Sequence, residues 1–312
     1  MKNPSLPTSP AIPDNLTVLE RGWLSSNSIL VCGSQSTALI DSGYGTHAAQ
    51  TLALVEDALG GRPLDVLVNT HLHSDHCGGN AALQHHYPGL KTLIPPGLSH
   101  HVQTWNPQAL TFTPTGQHCP RFRFDAVLRP ATDLMLGDVL WQVHAAPGHD
   151  PHSVILFEPA SRVLVSADAL WEHGFGVVFP ELEGVDAFDE VGKTLDLIES
   201  LAPRTVIPGH GAVFSGVENA LAMARKRLDA FVANPAKHSQ YAARALLKFK
   251  LLELQYLEEA QFKAWALATP YFKLIHSRYG HDLDFLAWID QLVLDLIKSG
   301  AAVREGRMIK NA

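Results

Sequence analysis

An α+β fold, two strand-rich halves followed by a helical tail, is what this sequence of 312 residues predicts. Three observations carry the prediction. Short β-branched runs alternate with turn residues and single helical stretches up to about residue 215. From about Val217 onward the apolar residues recur at a period near 3.6. The length suffices for one large core or a core plus a smaller second unit.

The elements follow in order. The stretches 16–20 (LTVLE), 27–32 (NSILVC) and 36–43 (STALIDSG) read as strands, and 46–59 as a helix. LDVLVNT reads as a buried strand ending at Thr70, and GGNAALQHHYP as a short helix stopped by Pro88. KTLIPP is a strand and GLSHHVQTW a helix. FRFDAVL, VLWQVHAAP, SVILFEP and RVLVSA form a run of sheet strands, and VDAFDEVGKTLDLIESLAP is a helix before the strand TVIPG. In the tail, ALAMARKRLDAFVA, QYAARALLKFKLLELQYL and LDFLAWIDQLVLDLIK are amphipathic helices, and AAVREGRMI reads as a β-hairpin. The expected division is a loose leader over 1–15, a strand-rich domain over 16–216 and a helical C-terminal domain over 217–312.

Composition narrows the function. Hydrophobic residues make up 46% of the chain without a continuous apolar run near twenty residues, so no membrane span is expected. The first fifteen residues, rich in Pro and Ser, lack the apolar core of a signal peptide. Cys32, Cys77 and Cys119 are scattered without CxxC spacing, which points to a reducing, cytoplasmic compartment. The net charge of −7 opposes a polyanionic partner. Residues 218–312 are mildly basic, however, with 14 Lys and Arg against 10 Asp and Glu. Apolar tail helices suggest self-association as a homodimer.

The chemistry concentrates in NTHLHSDHCGGN, residues 69–80, where His71, His73, Asp75 and His76 stand within six positions directly after a strand. On an extended segment His71 and His73 face the same way, and Gly78 and Gly79 are expected to turn the chain sharply into the next helix. One metal site needs only three protein ligands and a water, so the fourth residue points to a second ion. Three more residues recur just after predicted strands: His149 in HAAPGHDPHS, Asp168 in VLVSADAL and His210 in VIPGHGAVF.

The ordered set HxHxDH, GH, D after a strand and a final GH resembles the metallo-β-lactamase superfamily over about residues 16–215. The resemblance implies a four-layer αββα sandwich, here with a helical, winged-helix-like C-terminal domain. It implies that His71, His73 and His149 bind one metal, that Asp75, His76 and His210 bind the other, and that Asp168 bridges them. Asp75 would orient the attacking water and shuttle its proton. Asp41 would support the ligands from behind, or else simply form a turn. Imidazole nitrogens suit zinc, the default for two divalent ions, while the carboxylates also admit iron or manganese.

Asp168 at the bridging position, rather than Cys or Ser, resembles the glyoxalase II, lactonase and general hydrolase branches. The implied reaction is hydrolysis of a small ester, thioester or lactone by metal-bound hydroxide. Alternatives are a ribonuclease of the same fold, using Arg225, Lys226, Arg227, Arg244, Lys248 and Lys250, and a silent metal-bound regulatory protein. Trp171, His173 and Phe175, which follow Asp168 closely, together with His152, Tyr44 and Trp105, are the candidate pocket residues.

Overall fold

The computed structural model describes residues 10–280 and 283–312. Two sheets face each other. The first has six strands in chain order: β1 (Leu16–Leu19), β2 (Ser28–Cys32), β3 (Thr37–Ile40), β4 (Val66–Val68), β5 (Lys91–Ile94) and β6 (Ala126–Val127). β1 to β3 are antiparallel neighbours, and β3 to β6 run parallel. The second is ordered β11-β10-β9-β8-β7, from β7 (Thr132–Leu136), β8 (Val139–Ala145), β9 (Val154–Glu158), β10 (Val163–Ala167) and β11 (Thr205–Pro208).

Period-two alternation builds the four layers, because successive strand residues point to opposite faces. Val31, Ala38, Ile40 and Val68 from the first sheet meet Trp141, Val143, Leu156 and Val165 from the second in one core. Their alternates Leu30, Leu39 and Leu67 turn outward onto α1 (Ala48–Leu59) and α3 (Asn80–His86), separated in the chain by the short α2 (Ser74–Cys77). Ile155, Phe157, Leu164 and Val206 likewise turn outward. After α4 (Ser99–Thr104) and α5 (Phe179–Glu183) come α6 (Phe188–Leu201) and α7 (Val217–Ala233), whose Val191, Leu195, Leu221 and Ala224 cover that outer face. The result is an αββα sandwich with a helical region after it.

That region comprises α8 (Pro235–Leu254), β12 (Tyr256–Glu258), α9 (Glu259–Ala268), α10 (Pro270–Tyr279), α11 (Phe285–Lys298) and the hairpin β13 (Ala302–Glu305) and β14 (Met308–Asn311). Leu247, Leu251, Phe262, Phe272, Ile289 and Val293 centre its own core. Among the described residues no helix is long and apolar enough to cross a membrane.

Three elements differ from the sequence expectation. The strand expected over FRFDAVL shrinks to two residues, because the Gln84 amide bonds both the N–H and the C=O of Arg123 and takes the place of a ladder partner. β7 was hidden in sequence by its edge position, with Thr132, Asp133 and Met135 exposed. The helix expected to run through Leu257 stops at Leu254, where Gln255 takes φ +64°, and Tyr256–Glu258 pair with β14 instead. The expected leader lies outside the described residues over 1–9; at its far end Ala11 accepts a hydrogen bond from the Thr205 hydroxyl.

Trp141 is fully enclosed between the sheets, and its indole N–H has no partner among the described residues. Trp141→Ala should cost about 3–5 kcal/mol. Trp141→Phe keeps most of the ring and removes the stranded donor, so it should cost under roughly 2 kcal/mol. Urea unfolding of both variants checks the difference; equal losses would contradict it.

Candidate metal centre

The strand ends deliver the site. β4 hands over to Asn69–His73, and α2 carries Asp75 and His76. Gly78 and Gly79 do not make the sharp turn expected of them: their φ values of −65° and −82° are helical. They are needed for close approach, since a Cβ on Gly78 would meet the Gly45 nitrogen and one on Gly79 the Ser42 carbonyl oxygen. His149 sits in the loop between β8 and β9, Asp168 directly after β10, and His210 just beyond β11.

All seven side chains converge. His71, His73 and His149 form one group, and Asp75, His76, Asp168 and His210 a second, each with its ligand atoms within 4.8 Å of one another. His149 Nε2 lies 2.8 Å from His73 Nδ1, and His210 Nε2 lies 3.2 Å from Asp75 Oδ2. Asp168 stands between the groups: its Oδ2 is 3.4 Å from His149 Nε2 and 3.5 Å from His76 Nε2, and its Oδ1 is 3.9 Å from His210 Nε2. Gly209 makes room for it, because a Cβ there would strike the Asp168 carboxylate.

Hydrogen bonds behind the cluster fix the rings. His149 Nδ1 donates to the Val177 carbonyl at 2.6 Å, leaving Nε2 to face the cluster. Asp41 accepts from His76 Nδ1 at 2.7 Å, from the Thr70 amide at 2.8 Å and from the Thr70 hydroxyl at 2.7 Å. It does so from φ +59°, a conformation that Asp tolerates better than most residues.

The electrostatics are divided. Burial pushes the His71 pKa well below its ordinary value, with the His76 charge adding to it, and burial takes His149 down to about 4. Both are therefore neutral lone-pair donors at pH 7. Burial also opposes charge on His76, yet Asp168 and Asp41 lift it well above the ordinary value. Asp168 is held well below the carboxylate range despite its burial, by His76 and His210; Asp75 is lowered too, chiefly by its bond to His210. Two enclosed carboxylates thus call for positive charge.

The residues fit divalent cations. His71 Nε2 and His76 Nε2 are buried with no hydrogen-bond partner among the described residues, a costly arrangement that a cation would relieve. Nitrogen and carboxylate donors together suit zinc, iron or manganese.

The cluster forms the floor of a cavity of about 330 Å³. Trp171 lines it and donates from its indole to Asp168 Oδ1 at 3.1 Å. The other pocket candidates lie elsewhere. Phe175 is buried in the core against Phe231, and His173 points to solvent beside Glu172, 75% exposed. Tyr44 is fully buried behind the wall, edge-on to Phe249, with its hydroxyl at Glu253. His152 lines a neighbouring cavity of about 620 Å³, and Trp105 packs with Phe112 and Phe122.

Sequence reasoning missed several neighbours. Trp23 stacks on the His210 ring at 5.5 Å, and Phe179 meets the His73 ring edge-on at 4.8 Å. Asp150 lies 3.9 Å from His73 Nε2, and its place right after His149 was the available signal. From α8, Tyr241, Ala245, Phe249 and Leu252 line the cavity. Their i, i+4, i+8, i+11 spacing was legible; what they would face was not.

Comparisons with known proteins give the chain a family and a fold. A family model described as metallo-beta-lactamase superfamily matches residues 21–210. The acyl-coenzyme A thioesterase MBLAC2 of Gallus gallus is 28% identical over 208 residues, 61% of this chain and 73% of that protein. The hydroxyacylglutathione hydrolase of Brucella anthropi is 27% identical over 202 residues, 64% of this chain and 66% of that one. Among solved structures, a beta-lactamase domain protein from Burkholderia ambifaria matches with a TM-score of 0.59 at 20% identity, covering 97% of this chain and 94% of its own. A metallo-beta-lactamase family protein from Thermus thermophilus matches with a TM-score of 0.58 at 19% identity, covering 97% of this chain and 100% of its own. These two likenesses show the fold.

Asp41→Ala should weaken metal affinity by about 10- to 100-fold, because His76 loses the partner that aims it. Competition against a chromogenic chelator measures this; unchanged affinity would leave Asp41 a turn former. A pH effect follows from His149. Its folded pKa of about 4 lies below the ordinary 6.5, so its contribution to stability is complete above pH ~6.5 and is lost as pH falls toward 4. In chelator-treated protein, His149→Gln should therefore flatten the fall of the melting temperature across that window.

Proposed function

The chain belongs to the metallo-beta-lactamase superfamily and is a hydrolase of it, and from that premise we propose that it cleaves a small thioester at a dinuclear centre. The observation that carries the reading is Asp168, enclosed and within 4 Å of imidazoles from both groups. In this reading His71, His73 and His149 hold one cation, Asp75, His76 and His210 the other, and Asp168 spans both. Zinc is the default ion. Residues 16–216 supply the catalytic cluster, α7 completes the sandwich around it, and the helical region from α8 onward closes the cavity. Three free cysteines fit a reducing cytoplasmic setting.

When bound, divalent cations supply Lewis acidity that acidifies water toward neutral pH and polarises a carbonyl oxygen. The chain supplies the rest. Asp75, ionised and reaching the cavity, orients the attacking water and takes its proton. Trp171 pins the Asp168 carboxylate from the side facing the cavity, and Phe179 packs against the rings of His73 and His149. The leaving group gets little help: among the described residues no His or Lys outside the cluster offers a proton, since Lys248 is tied to Ala301, Asn311 and Ala312. A thiol, ordinarily near pKa 8.5, departs as an anion far more readily than an alcohol, which favours a thioester. The names of the thioesterase and glutathione hydrolase relatives point the same way.

The ribonuclease alternative is not favoured. Of the basic residues it needs, Arg225 pairs with Asp196 and Glu199, Lys250 with Glu253, and Arg244 lies 4.0 Å from Asp295. Arg227 lies over the Tyr241 ring.

A panel of acyl-coenzyme A and glutathione thioesters, lactones, aryl esters and RNA, run beside elemental analysis, tests the reading. One thioester class should dominate, and chelation should abolish its turnover. Asp168→Asn should lose at least about a hundredfold in kcat/KM together with occupancy of both metals. Two full equivalents of metal in that variant would contradict the bridging role, and RNA cleavage without thioester turnover would reverse the substrate.

A further inference from the structure

The cavity above the cluster is mostly apolar where it leaves the metal ligands: Thr111, Thr115 and Gln117 line one side, and α8 supplies the apolar wall. This helix buries two faces. Ala243, Leu247 and Leu251 enter the core of the helical region, while Tyr241, Ala245, Phe249 and Leu252 form a second stripe along the cavity. Trp171 and Phe179 stand opposite, beside the ligands. Lys248, which among the described residues is the one Lys or Arg on the wall, spends its ammonium on Ala301, Asn311 and Ala312 and contributes its alkyl stem. The four side chains of the stripe are uncharged, so a charged group running along them would lose its hydration without gaining a partner.

We infer that this cavity is an acyl-chain pocket, and that the α8 stripe selects substrates carrying a straight, uncharged acyl group of medium length. The inference rests on the thioester reading for the reaction and on α8 alone for the selection. The acyl carbonyl sits at the ligand floor and the hydrocarbon runs along Ala245 and Phe249. An apolar cavity of about 150 Å³ holds a benzene-sized guest. A space of about 330 Å³ therefore takes on the order of eight to twelve carbons. Each methylene buried there should strengthen binding about three- to fourfold.

Two readouts test this on the purified full-length protein. Acyl-coenzyme A substrates from acetyl to palmitoyl should show kcat/KM climbing about three- to fourfold per methylene up to roughly eight carbons, then levelling or falling. Straight-chain alcohols from butanol to decanol, followed by tryptophan fluorescence, should bind with the same dependence on length without any turnover. Ala245→Trp fills the pocket and should lower the octanoyl-to-acetyl ratio at least tenfold, with metal content unchanged. Phe249→Ala enlarges it and should move the preferred length upward. Alcohol binding that tracks length with no thioester hydrolysed would uphold the pocket and sink the proposed reaction. Thioester turnover and alcohol binding both indifferent to chain length would uphold the reaction and overturn the pocket.

Discussion

The structure depends on burying a carboxylate at the end of a strand. Asp168 is removed from water, and an isolated charge there would cost several kcal/mol, on the order of the stability of the whole fold. It is tolerated because His76, His149, His210 and the Trp171 indole surround it. Those partners come from four separate loops, so the two sheets must hold β4, β8, β10 and β11 in fixed register for the charge to be met. The inter-sheet core does this, and it also carries local strain. Asp41 and Ala167, with φ of +59° and +47°, flank the cluster on either sheet. Such conformations cost about 1–3 kcal/mol each and persist where their surroundings over-determine them.

The helical region reaches the cluster through a short chain of contacts. Val177 packs into the core of that region while its carbonyl holds His149. The next amide, of Val178, donates to His238 Nε2 on α8 at 3.0 Å. Burial, with Arg227 nearby, takes the His238 pKa down to about 4, which keeps it the neutral acceptor this bond needs. The segment that orients the His149 imidazole is therefore clamped by the helix that walls the cavity. The cavity wall and the His149 ring share one support.

Much of this was legible in the sequence, and the legible part has a physical signature. Strands buried on both faces, such as ALI and VLVSA, announce themselves by nearly continuous apolar runs, and the residues that end them are where the clustered His and Asp side chains gather. His71, His73, Asp75 and His76 were readable because four strong ligands in six positions have no structural need to be adjacent. β7 was not, since an edge strand with an exposed face lacks that pattern. Nor were Trp23, Phe179 or the outlook of α8. Amphipathicity tells that a helix has a face to bury, not which surface receives it, and α8 buries two. Phe175 shows the reverse error: nearness to Asp168 in sequence suggested the pocket, but the chain turns it into the core.

Every role proposed for the cluster requires its seven side chains to hold a pair of cations close together. X-ray absorption at the metal edge, on protein purified without added metal, measures it most directly. Two equivalents per chain, nitrogen and oxygen donors only, and a metal-to-metal vector of about 3.5–4 Å are expected. A single equivalent without that vector, or sulfur among the donors, would contradict that arrangement.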